Sequence, residues 1–134
     1  MAEKQVNYYT EEHSETNLSH LSDIEYAKNV INTQAGAVFE KCKIVADYYG
    51  HEPQSRMLQE EAAELIQAVN KYYRSTNAVG LKSGEASDNL VEEMADVIIM
   101  IIQELIFQGT DIELFAELLN LKLDRQIKRM EGEK

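Results

Sequence analysis

Two short runs of acidic residues carry the chemistry this chain could do. Glu60-Glu61-Ala62-Ala63-Glu64 comes first, and Glu92-Glu93-Met94-Ala95-Asp96 follows after an interval. Residues three apart lie on one face of a helix, so Glu61 pairs with Glu64 and Glu93 with Asp96. The face of Glu61 and Glu64 continues through Met57 and Ala68. That of Glu93 and Asp96 continues through Met100 and Phe107, whereas Glu60 falls on a more solvated face with Arg56, Ala63 and Gln67. Between Met94 and Ile102 eight of nine residues are apolar, which leaves the second acidic pair little room for a solvated face of its own.

Four carboxylates placed this way repel one another and lose hydration, so they must either protonate or share a cation. An all-oxygen donor set selects a hard divalent ion, Mg²⁺ with Mn²⁺ as a substitute, over zinc, which prefers sulfur and imidazole. Mg²⁺ keeps positions for substrate phosphates, and such a site suits hydrolysis of a phosphoanhydride. Glutamate is also a good helix former, and a lone E-E-x-x-E run is common on solvated helices. The second pair, backed by apolar sequence, weighs against that plainer explanation.

A basic stripe stands apart from the acids. Lys122, Arg125 and Arg129 follow at i, i+3 and i+7, with Asn120 read as lying beside them. They either compensate a helix C-terminus or clamp phosphates facing the metal. Lys71, seven residues after Glu64 on the same face, is a further phosphate-binding candidate or a plain surface lysine.

Helices must position these groups. With one proline and six glycines, long helices are permitted and a turn-rich β architecture is disfavoured. A first helix is expected from Ser22, with Ser22 and Glu25 as a capping box, to about Tyr49-Gly50. A second runs from about Pro53 to Arg74, with Leu58, Leu65, Val69 and Tyr72 inward. Ser75 to Ser87 reads as a loop. A third helix spans about Ser87 to Gln108, covered on most sides, and a fourth runs from about Asp111 to Met130 with Ile112, Phe115, Leu118 and Leu119 inward. The expected fold is an all-α four-helix bundle in one domain over 21–134, after an irregular arm over 1–20.

Charge and cysteine content narrow the class. Thirteen basic against 24 acidic residues give a net charge of −11, which repels phosphate backbones and argues against nucleic-acid binding. Cys42 is the one cysteine, so there is neither an intrachain disulfide nor a cysteine-rich zinc site, and it reads as a core-edge residue. No stretch is long and apolar enough to span a bilayer, and a reducing cytoplasm is the expected setting.

The motifs, with Gln54 a turn ahead of the first, resemble the MazG-type all-α nucleoside triphosphate pyrophosphohydrolases. That family places E-E-x-x-E on one helix and E-x-x-D on the next, here Glu60-Glu61-x-x-Glu64 and Glu93-x-x-Asp96. The likeness extends over about Tyr48 to Arg129 and includes Asn120-x-Lys122-x-x-Arg125. It implies Glu61, Glu64, Glu93 and Asp96 as Mg²⁺ ligands, with Glu60 orienting the attacking water. Asn120, Lys122 and Arg125 would then touch phosphates. It also implies cleavage between the α and β phosphates of an NTP or dNTP, a nucleotide-housecleaning role, and homodimers or homotetramers with apolar helices packed across subunits. Base recognition is not assigned by it: Tyr48, Tyr49, Tyr72 and Phe39 are stacking candidates, each equally readable as core or interface.

Two other classes also place acids on helices. A di-iron carboxylate bundle needs Glu-x-x-His pairs, but Thr10, Asn17 and Tyr48 precede His13, His20 and His51 by three residues. That leaves His51 as a loop or helix-entry residue. The remaining rival is a non-catalytic helical interaction module with an acidic groove.

Overall fold

The structure, a computed structural model, describes residues 21–76, 80 and 82–132. Four helices make up these residues: α1 (Leu21–Tyr49), α2 (His51–Arg74), α3 (Gly84–Phe107) and α4 (Ile112–Gly132). The arm over 1–20 and the side chain of the expected Ser22 cap lie outside the described part.

Local chemistry sets the boundaries. Gly50 alone separates α1 from α2, and its φ of 86° is a left-handed conformation that a side chain would strain. Pro53 sits in the first turn of α2, where a missing N–H removes no helical bond. α3 begins three residues ahead of the expected Ser87, because Ser83 Oγ accepts the Ala86 N–H and caps the helix, leaving Ser87 buried inside it. Gly109, at φ 59°, ends α3 as expected. Asp111 Oδ1 then accepts the N–H groups of Glu113 at 2.9 Å and Leu114 at 3.3 Å, starting α4.

α2 and α3 form an antiparallel hairpin with the most extensive packing, and α1 lies against both. Cys42 is buried where α1 meets α3, its Sγ facing the Ile99 carbonyl, so the core-edge expectation holds. Along the hairpin, Gln54 Nε2 donates to Gln103 Oε1 at 2.7 Å inside the core.

Two burial expectations are corrected. α3 is not covered on most sides: Ile102 is buried, but Met94, Ile98, Ile99 and Ile101 are exposed. α4 does not turn an apolar face inward, since Phe115 is half-buried and its other residues are exposed. The apolar spacing was read correctly, but the surface meant to cover it is absent from a single chain. Among the described residues, the buried hydrophobic ones are Cys42, Ala46, Ala68 and Ile102, a small core for helices of this length.

Candidate metal centre

The antiparallel hairpin brings the two acidic motifs level with each other. Glu61, Glu64 and Glu93 each offer a carboxylate oxygen within 4.8 Å of the others, a spacing that one cation can span. Glu61 and Glu93 are half-buried and Glu64 is exposed. Asp96, half-buried one turn after Glu93, is close enough for its charge to act on both Glu61 and Glu93.

Electrostatics bear out the crowding. Burial pushes the Glu61 carboxyl above its ordinary range, and the charges of Asp96, Glu64, Glu93 and Glu60 push it further. Glu93 is raised first by burial and then by Glu64, Asp96 and Glu92, while Lys71 acts in the opposite sense. Glu93 Oε2 is buried with no hydrogen-bond partner. A buried carboxylate oxygen without a donor, among three further acids, fits a divalent cation.

Beside the acids runs a polar cavity of about 250 Å³ lined by Glu64, Gln67, Lys71, Asn89 and Glu93. A neighbouring cavity shares Lys71 and Asn89 with it and is also lined by Ser75 and Ser83 at the start of α3. Lys71 thus stands at the carboxylates, as its spacing from Glu64 implied. Gln67, read from sequence onto the more solvated face of Glu60, lines the cavity instead, because it also lies three residues after Glu64. Asn89 was not singled out from sequence, although it lies four residues before Glu93.

Glu60 is exposed at the rim of the cluster, near enough to raise Glu61. The α4 residues are elsewhere. Asn120, Lys122 and Arg125 are all exposed, and no described ion pair or side-chain hydrogen bond joins them to the acids. Asn120 does not lie beside Lys122, because residues two apart on a helix project about 200° apart. Of the aromatic candidates, Tyr48 and Tyr49 are exposed and pack edge to face at 4.8 Å, and Tyr72 is half-buried beside Tyr73. Phe39 is 37% exposed on α1.

A second polar cluster ties the far end of the hairpin. Glu104 accepts from Ser55 Oγ at 2.6 Å and from Gln108 Nε2 at 2.9 Å, and it pairs with His51 Nε2 at 3.0 Å. His51, the first residue of α2, also stacks on Phe107. These contacts, led by the Ser55 hydrogen bond, hold the Glu104 carboxyl down to about 2. Only the position of His51 at a helix start was legible in advance.

The all-α hairpin carrying E-E-x-x-E opposite E-x-x-D is the arrangement expected of the family that the sequence resembles. The family model described as "MazG nucleotide pyrophosphohydrolase domain" matches residues 50–129, more than half of the chain, and the chain belongs to that family. No curated protein and no solved structure gives a significant match. Among the described residues no helix is long and apolar enough to cross a membrane.

Proposed function

We propose that this chain is a Mg²⁺-dependent pyrophosphohydrolase of nucleoside triphosphates, cleaving between the α and β phosphates to give a nucleoside monophosphate and pyrophosphate. The observation that carries this reading is the convergence of Glu61, Glu64 and Glu93 within 4.8 Å, with Asp96 adjacent and a Glu93 oxygen buried without a donor. Glu61, Glu64, Glu93 and Asp96 would hold the cation, Mg²⁺ or in its place Mn²⁺. When bound, it supplies charge neutralisation for the phosphate oxygens. Glu60, at the rim, orients a water and takes its proton as the water oxygen bonds to phosphorus. The anhydride P–O bond breaks and pyrophosphate leaves. Lys71 steadies a phosphate in the cavity it lines.

A homo-oligomer, dimer or tetramer, is part of this reading, since the apolar surfaces of α1, α3 and α4 are otherwise exposed to water. The setting is the cytoplasm and the role is removal of unwanted nucleotides. Pyrophosphate release from a panel of nucleoside and deoxynucleoside triphosphates tests the reading. Turnover is expected with Mg²⁺ and lost on chelation. In Glu64→Gln it should fall by at least about 10²-fold while helicity and oligomeric state survive. No release from any nucleotide would favour a binding module, and a fully active Glu64→Gln would refute the ligand assignment.

A further inference from the structure

Two glutamines face each other inside the α2–α3 hairpin, at a level where helix packing would ordinarily use apolar side chains. Gln54 of α2 and Gln103 of α3 are both buried, and Gln54 Nε2 donates to Gln103 Oε1 at 2.7 Å. Gln103 Nε2 is buried too and has no hydrogen-bond partner. A buried amide with an idle donor costs stability, and an apolar pair of the same shape would avoid that cost. Packing alone therefore does not account for the pair.

The register of the hairpin does. Seven residues on from Gln54 stands Glu61, and seven back from Gln103 stands Asp96. Ten on and ten back stand Glu64 and Glu93. Two helical turns return to nearly the same face, so in an antiparallel pair one facing level dictates the next. The charges follow this register. After burial, Asp96 is the neighbour that raises Glu61 most, and Glu64 the one that raises Glu93 most. The amide pair thus lies about 10 Å along the hairpin from the level of Glu61 and Asp96.

The acids need a brace at such a level. Like charges push α2 and α3 apart where a cation must be gripped from both. Apolar contacts resist separation but tolerate sliding, whereas a hydrogen bond between side chains fixes spacing and level together. It does so best where water does not compete. The His51–Glu104 contact is exposed, and the Gln54–Gln103 bond is buried.

We propose that Gln54 and Gln103 are positioning residues: their amide pair sets the level of α3 against α2 and so brings Glu61 opposite Asp96 and Glu64 opposite Glu93. The effect on metal binding rests on the Mg²⁺ reading of the site; the effect on the hairpin does not. Two turns away, the amides act on the carboxylates only through the helices that carry both.

Methionine has nearly the shape of glutamine without the amide, so a chain carrying both Gln54→Met and Gln103→Met tests this. The double change also removes the idle donor, and the metal-free variant is expected to melt no lower than the wild type. Its dissociation constant for Mg²⁺, from isothermal titration calorimetry on folded protein, is nonetheless expected to rise by about ten-fold or more. A pair with a purely structural role would do the reverse, shifting the melt and leaving Mg²⁺ affinity alone. A second measurement uses no metal. Nitroxide labels at Ala63→Cys and Glu92→Cys, both exposed positions, report the spacing of α2 and α3 in a Cys42→Ala background. The distance distribution is expected to widen or lengthen when the two methionines are introduced. An unchanged Mg²⁺ dissociation constant, or an unmoved label distance, overturns the proposal. A wild type that takes up no Mg²⁺ sinks the metal reading instead, and the label distances then decide by themselves whether the amides set the hairpin.

Discussion

At the scale of single residues, the acidic cluster stores repulsion that a cation would relieve. Glu61 is held above the ordinary carboxylate range by burial and by its acidic neighbours, so ionising it in the folded chain carries a cost that the unfolded chain does not bear. Replacing it by Gln removes that cost and also removes a ligand. Glu61→Gln is therefore expected to stabilise the metal-free protein slightly, read as a higher melting temperature, while abolishing the rise that Mg²⁺ produces in the wild type. Differential scanning fluorimetry with and without Mg²⁺ checks both signs together, and a wild-type chain indifferent to Mg²⁺ would count against a metal at this position. The pairing of Glu61 with Glu64 and of Glu93 with Asp96 was legible from spacing, because helical periodicity dictates it. That Glu93 has an oxygen without a donor was not legible, since it depends on how closely two helices approach.

Among the elements, the α2–α3 hairpin is fastened at the end remote from its loop by Glu104, which receives Ser55, Gln108 and His51. Its carboxyl is held down to about 2 from an ordinary 4.5. The unfolded chain takes up a proton near 4.5, whereas the folded chain does so only near 2. The stability Glu104 contributes is thus complete above that upper value and fades as pH falls through the interval. Glu104→Gln is expected to cost about 1–3 kcal/mol at neutral pH and to flatten the acid side of the stability curve, measurable by urea unfolding at a series of pH values. An unchanged acid limb would show that the carboxylate is not what fastens the helices. Helix existence was readable throughout, from apolar spacing and from Pro53 and Gly109. The start of α3 was not, because Ser83 and Ser87 are equally good caps on paper and only burial of Ser87 decides between them.

For the whole molecule, the small core and the long exposed apolar strips support the proposed homo-oligomer, in which association would be part of folding. A chain whose folded form depends on a second copy melts at a temperature that rises with protein concentration. A ten-fold dilution is expected to lower the melting temperature by a few degrees and to shift the mass in solution towards the monomer, as light scattering and sedimentation would report; a concentration-independent transition would contradict it. The apolar pattern by itself does not distinguish the two cases, because an apolar strip looks the same whether its cover comes from its own chain or another; only the family resemblance implied a second chain. The joint between α1 and α2 has a consequence of a different kind. With Gly50 the only residue between two helices, the connection holds no slack. Adding or deleting one residue there would turn α1 by about 100° and carry Cys42 off the Ile99 carbonyl. The seating of α1 is thereby written into the covalent chain itself, and the length of this junction is as much a determinant of the fold as any side chain around it.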